Sequence, residues 1–303
     1  MIDNPILIDN PILNAQWERL TIRDNYLFSK TMEFAPDLCR QLLEMILRVK
    51  ITDLRWIERE KTLEERFDSR GIRLDVYVEE QDRNRVFDIE MQMSNKRNLA
   101  KRIRYYQSMI DLDKLKRGQN FNMLGESYVI FICLFDFFGQ GRHIYTFRET
   151  CDQDATLKLN DGTAKIFLNT KGIFDDVHGD FKAFLDYVEC GKISGEFVTK
   201  LDAVVNRVKY SFETRLEYMN LQLFLEEARE DAREEAREEG RAVGLVEGRA
   251  EGRAEGRAEA RIAMIKNLFT FGMPAETIAK ATGLTEAEVA KILADEMPDN
   301  SEV

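Results

Sequence analysis

Apolar residues recur at helical spacing over residues 24–48, with Leu27, Phe28 and Met32, then Leu38, Leu42, Met45 and Ile46, and Val49 just beyond. Pro36 interrupts the run and suits the first turn of a helix, so the pattern predicts two helices that meet there. The period then changes to two. Residues 72–79 alternate with Ile72, Leu74, Val76 and Val78 on one face, and residues 85–93 place Phe87, Ile89, Met91 and Met93 on one face. The polar residues 81–84 between them predict a hairpin turn, and residues 51–59 add a further strand candidate. Residues 95–112 return to helix, with Leu99, Ile103, Tyr106 and Ile110 as its buried stripe. The continuous apolar run 128–135 predicts a central strand covered on both faces. Residues 143–147 and 163–168 predict shorter strands. Helical spacing resumes over 180–225, for example at Val198, Leu201, Val204, Val205 and Val208. The body is therefore α/β or α+β, a small mixed sheet with helices before, inside and after it.

The two ends follow other rules. The hexapeptide I-D-N-P-I-L occurs at 2–7 and again at 8–13. Its Asn-Pro steps disfavour helix, so residues 1–20 are expected to form an extended, mobile arm. Residues 226–261 are low-complexity E-E-A-R and E-G-R-A repeats, in which Glu lies within reach of Arg one turn away. Glycines at 240, 244, 248, 252 and 256 each cost about 1 kcal/mol relative to Ala, which leaves a marginal, solvated helical spacer, one that could pair with a second copy. Residues 262–303 predict a small helical tail with a T-G-L turn at 282–284 and a capping box at Thr285 and Glu288. The tail reads as a helix-turn-helix, but its second helix opens with Glu286 and Glu288 and has Lys291 as its one base. Groove binding needs donors and positive charge there, so a protein-interaction or regulatory module is the better reading. Residues 21–225 form the main domain.

Composition narrows the chemistry. The chain has 303 residues, 44% of them hydrophobic, and no run approaches the roughly 18 apolar residues of a membrane helix. No signal peptide is visible at the start. Cys39, Cys133, Cys151 and Cys190 are far apart with no C-x-x-C, as expected for reduced, mostly buried thiols of a cytoplasmic protein. With His143 and His178 the only histidines, histidine-rich metal sites and histidine relays are nearly excluded, and His143 and Cys151 are expected to be structural. No phosphate loop, G-x-S-x-G or H-E-x-x-H occurs. The net charge of −11 is uneven: residues 226–261 carry 12 acidic and 8 basic side chains and residues 262–303 carry 7 and 3, which leaves 36 acidic and 33 basic in the first 225.

The polar face of the predicted hairpin shows Arg73, Asp75, Tyr77 and Glu79 on one strand and Asp88, Glu90 and Gln92 on the other. A turn centred between Asp82 and Arg83 sets Asp75 across from Glu90, and cross-strand Cβ atoms lie about 4.5–5.5 Å apart. Two carboxylates so close repel unless a cation or a shared proton lies between them. Oxygen ligands on rigid strands suit Mg²⁺, which would keep waters for a phosphate and a nucleophile. The alternative is an ordinary solvated sheet face. Beyond the pair, residues 92–120 hold eight bases, Lys96, Arg97, Lys101, Arg102, Arg104, Lys114, Lys116 and Arg117, against two acids. Arg97, Lys101 and Arg104 form a stripe with Arg102 beside it, a surface suited to a phosphodiester backbone. Tyr105 is a candidate helper near the site or a core tyrosine.

R-L-D-V-Y-V-E-E at 73–80, F-D-I-E-M-Q at 87–92 and R-x-x-Y-Y at 102–106, followed by an apolar strand, resemble the PD-(D/E)XK nuclease superfamily. More narrowly, with the E-G-R-A repeats and I-A-K-x-T-G-L-T-x-x-E-V at 278–289, they resemble the Rpn recombination-promoting nucleases, over about residues 24–293. The resemblance implies a restriction-endonuclease-like α/β core, followed here by a helical spacer and a small helical module. It further implies that Asp75 and Glu90 bind Mg²⁺, with Mn²⁺ as a substitute, and that the protein is an endonuclease cutting DNA in recombination or mobile elements. Gln92 stands where the superfamily has lysine, and can orient by hydrogen bonds but brings no charge. Lys101, Arg102, Arg104 and Tyr105 would contact DNA. An early-helix acid, Glu44 or Asp24, would join the site. The rival expectation is a catalytically inactive DNA-binding or regulatory protein on the same scaffold.

Overall fold

Two alternating segments and the turn between them build the centre of the fold. Strands β2 (Ile72–Glu80) and β3 (Arg85–Gln92) are antiparallel neighbours. Asn84 takes a left-handed conformation at φ 48° in the turn, a conformation Asn tolerates better than most residues. The buried ion pair of Glu80 with Arg85 closes the neck, and Arg85 also donates to the Lys50 carbonyl at 3.1 Å. The computed structural model describes residues 10–52, 54–63, 71–80 and 82–294. By compactness it divides into Met1–Gln222 and Leu223–Val303.

In the first unit, β1 (Leu54–Leu63) pairs antiparallel with β2, whereas β4 (Glu126–Cys133) and β6 (Thr163–Asn169) run parallel to β3. The edge strand β5 (Ile144–Phe147) returns antiparallel to β6, giving a mixed six-stranded sheet in the order β1-β2-β3-β4-β6-β5. A parallel β3/β4 pair needs a crossover, and α4 (Leu99–Lys114) supplies it. The helices on the other face are α1 (Pro11–Arg19), α2 (Asn25–Phe34), α3 (Pro36–Leu47), α5 (Gly179–Cys190) and α6 (Gly195–Lys209). The 59-residue α7 (Phe212–Thr270) follows. Leu27, Phe28, Leu42, Phe184 and Leu201 pack from these helices on Val76, Val78, Phe87, Ile89 and Ile130 of the sheet. Fully burying each such side chain contributes about 1.5–3 kcal/mol. On the opposite face, Leu99, Ile103, Tyr106 and Ile110 of α4 cover Leu74, Tyr77, Val129 and Phe131.

The structure corrects three expectations. Residues 11–19 are helical: the side chain of Asn10 accepts from the amides of Ile12 and Leu13 at 3.0 and 3.1 Å, and Pro11 occupies the first helical position. The second Asn-Pro step therefore starts a helix, whose Leu13 and Trp17 are buried. The first nine residues of the arm lie outside the described residues, as do Gln81 of the turn and the acidic end after Ala294. Next, Ile72 and Leu74 do not share a cluster with Val76 and Val78, because they belong to the core under α4. Finally, the thiols are all free, but only Cys39 and Cys133 are buried, Cys151 being half-buried and Cys190 exposed.

In the second unit, residues 226–264 of α7 are exposed. Ile265 of its last turns forms a small core with Ile278 and Ala279 of α8 (Ala275–Thr282) and Val289 of α9 (Glu286–Ala294). Gly283 ends α8 in the left-handed conformation at φ 68°. The capping box is present: Glu288 Oε2 accepts from the Thr285 amide at 2.8 Å, and the Thr285 hydroxyl from the Glu288 amide at 3.3 Å. Among the described residues, no helix is long and apolar enough to cross a membrane.

Candidate active site

The β2/β3 ladder pairs Glu79 with Val86, Val78 with Phe87, Tyr77 with Asp88 and Val76 with Ile89. This is the register of a turn centred between Asp82 and Arg83. One step further, at Asp75 and Glu90, side chains take over from the ladder. The Asp75 amide donates to Glu90 Oε1 at 2.9 Å, and the Met91 amide donates to Asp75 Oδ2 at 3.1 Å. The strands part here, because β3 continues along β4 as far as Gln92 opposite Cys133. Each carboxylate thus accepts from the backbone of the other's strand, which fixes both.

The face that carries them is not solvated. Asp75, Asp88, Glu90 and Gln92 are all buried, and α4 reaches Glu90 and Gln92 through Arg102. Arg102 reaches down from α4: its Nη2 donates to Glu90 Oε2 at 3.2 Å and to the Tyr106 hydroxyl at 2.9 Å, and its Nη1 donates to Gln92 Oε1 at 2.9 Å. Gln92 Nε2 donates in turn to Glu90 Oε2 at 3.3 Å. Asp88 lies deepest, at 0% exposure, and neither of its carboxylate oxygens has a hydrogen-bond partner among the described residues. Burial pushes the Asp75 carboxyl up to about 6, against the Met91 amide, Asn25 and the charges of Arg73 and Arg102, which lower it. Burial likewise holds Asp88 and Glu90 well above the carboxylate range, and the negative charges of their neighbours add to it.

Of the residues expected at the site, Asp75, Glu90, Gln92 and Arg102 come together. Lys101 and Arg104 lie on the exposed side of α4, and Tyr105 is 37% exposed beside them. The tyrosine at the site is Tyr106, which the sequence placed in the buried stripe. Lys114 is drawn into an ion pair with Glu79 at 2.5 Å. The early-helix acids have other partners: Glu44 accepts from the Ile51 amide at 3.0 Å, and Asp24 from the Thr21 amide at 2.8 Å. Helix α2 reaches the site through Asn25 instead, which donates to Asp75 Oδ1 at 3.0 Å. Asn25 carried no sequence signal, and Asp88 showed only as one acid in an alternating strand.

Do these residues suit a divalent cation? The donors are hard carboxyl oxygens, and among the described residues Arg102 bonds Glu90 while neither oxygen of the buried Asp88 has a partner, a deficit of positive charge that a cation would correct. Among the described residues no cluster of three His, Cys, Asp or Glu side chains forms a ready cage. A cation would rest on Asp75 and Glu90 and retain waters, as Mg²⁺ commonly does. The residues fit. No curated protein and no solved structure matches the chain. A family model described as PD-(D/E)XK nuclease family transposase matches residues 25–175, a span that includes Asn25, the Asp75–Glu90 pair, Gln92 and Arg102. By that match, and by the mixed sheet flanked by helices on which the pair is mounted, residues 25–175 belong to the PD-(D/E)XK nuclease family transposases.

Proposed function

We propose that the protein is a metal-dependent DNA endonuclease, acting in the cytoplasm in DNA recombination or on mobile elements. The observation that carries this reading is the reciprocal bridging of Asp75 and Glu90 where the β2/β3 ladder opens. Asp75 and Glu90 would hold Mg²⁺, or Mn²⁺ in its place. Bound there, the ion supplies Lewis acidity toward phosphoryl oxygens and lowers the pKa of water. Gln92, held by Arg102, orients the attacking water through its amide. Arg102 brings to the site the positive charge that glutamine lacks, from α4 rather than from β3. Lys101, Arg104 and Tyr105, on the exposed side of the same helix, contact the DNA backbone. Residues 226–261 are the segment through which a second copy would pair.

End-labelled duplex DNA incubated with the protein should be cut in Mg²⁺ or Mn²⁺ and remain whole in EDTA. Cutting that persists in EDTA would remove the cation from the account. A non-catalytic scaffold is the second reading, favoured by Gln92 in the lysine position. Calorimetric titration with Mn²⁺ separates the two, because the endonuclease binds the ion at the pair and the scaffold does not.

A further inference from the structure

The contact between Glu90 and Arg102 occupies both a carboxylate oxygen that a cation would use and the guanidinium that a phosphate would use. Glu90 Oε2 has two lone pairs, and both are engaged: Gln92 Nε2 donates at 3.3 Å and Arg102 Nη2 at 3.2 Å. Among the described residues, Oε1 accepts the Asp75 amide alone. The guanidinium lies as a fork across Glu90 and Gln92, with the rings of Tyr106 and Phe131 at 5.1 and 5.4 Å from its centre. Its side chain keeps 28% of its surface in solvent, whereas that of Glu90 keeps 2%. The arginine is thus the accessible half of the pair and the carboxylate the enclosed half. A backbone phosphate offers a guanidinium the same two-oxygen geometry as a carboxylate. A divalent cation competes for the other half, at Oε2.

We propose that Arg102 is a latch on Glu90 that couples cation loading to DNA. A DNA phosphate draws the guanidinium off Oε2 and opens it to the cation; a cation at Glu90 releases the guanidinium to the phosphate. The proposal rests on the reading of Asp75 and Glu90 as a metal pair. Coupling of this kind is reciprocal, so each ligand tightens the other by one factor. That factor is the readout, because a charge that merely sits nearby changes the Mn²⁺ affinity with and without DNA alike and leaves their ratio unchanged.

The test is calorimetric titration of Mn²⁺ into the full chain, alone and with a saturating short duplex whose phosphorothioate linkages resist hydrolysis. In the wild type the duplex should tighten Mn²⁺ binding about tenfold, within the usual range for coupled sites. In Arg102→Met, Mn²⁺ should bind about tenfold tighter without DNA, and the duplex should add no more than about threefold. Arg102→Lys keeps the charge but cannot fork, and its ratio should fall between the two; it decides the matter if Arg102→Met does not fold. A ratio equal to that of the wild type in the folded variants overturns the latch. Failure of the underlying reading looks different: no Mn²⁺ uptake that Asp75→Asn abolishes, in any variant. A failed latch leaves that uptake in place with its ratio unchanged.

Discussion

Asp75, Asp88 and Glu90 bind protons more readily than ordinary carboxyl groups because burial removes water from all three. For Asp75 the range runs from 3.8 in the unfolded chain to about 6 in the fold. Between those values the folded state holds more protons than the unfolded one, so this group stabilises the fold below about pH 4 and that contribution is lost as pH rises to about 6. The loss is on the order of 3 kcal/mol. Calorimetric melting in EDTA from pH 4 to 7 should show it, and Asp75→Asn should flatten it; equal slopes in the two proteins would contradict the assignment. A divalent cation should oppose the loss above pH 6. At this scale the sequence was informative where spacing decides position: one turn centre sets Asp75 against Glu90. It was silent where a helix decides. Whether Tyr105 or Tyr106 meets Arg102, and whether Asp88 is solvated, depends on the rotation and seating of α4. Asn25 depends on how α2 lies against the sheet.

The secondary-structure elements were mostly legible, because periodicity reports the face that is buried. The exceptions have local causes. In β2 the apolar residues change clusters between Leu74 and Val76, at the point where β3 leaves the ladder, so strict alternation misassigned Ile72 and Leu74. In α1 the proline restricts only Asn10, which is the cap and lies outside the helix, so the Asn-Pro step starts a helix instead of keeping residues 11–19 extended. The long α7 is legible in composition, and its weakness is equally so. Gly248 and Gly252 lie within it, and an added Cβ at either meets nothing within 4 Å. Gly248→Ala with Gly252→Ala should therefore strengthen the helix by about 2 kcal/mol in total. Circular dichroism at 222 nm during heating is the check: a gain in helical signal at high temperature is expected, and an unchanged or lower melting curve would show that these glycines make contacts of their own.

Across the whole molecule, charge and fold divide at nearly the same place. Leu223–Val303 holds 19 acidic and 11 basic residues, leaving Met1–Gln222 close to neutral. The net charge of −11 is therefore no argument against a nucleic-acid substrate for the first unit. If the acidic stretch limits nonspecific hold on DNA, truncation after Leu225 should tighten duplex binding several-fold at low salt, with the difference shrinking as the Debye length falls toward 8 Å near 0.15 M salt. Fluorescence anisotropy at two salt concentrations measures this, and equal affinities would remove that role from the tail. The central claim is that the Asp75–Glu90 pair holds the cation that cuts DNA. It is tested most directly by incubating supercoiled plasmid and Mg²⁺ with the wild type and with Asp75→Ala at equal concentration. The account predicts nicked and linear product from the wild type and a rate lower by about 100-fold or more in the variant; cutting undiminished in Asp75→Ala would contradict it.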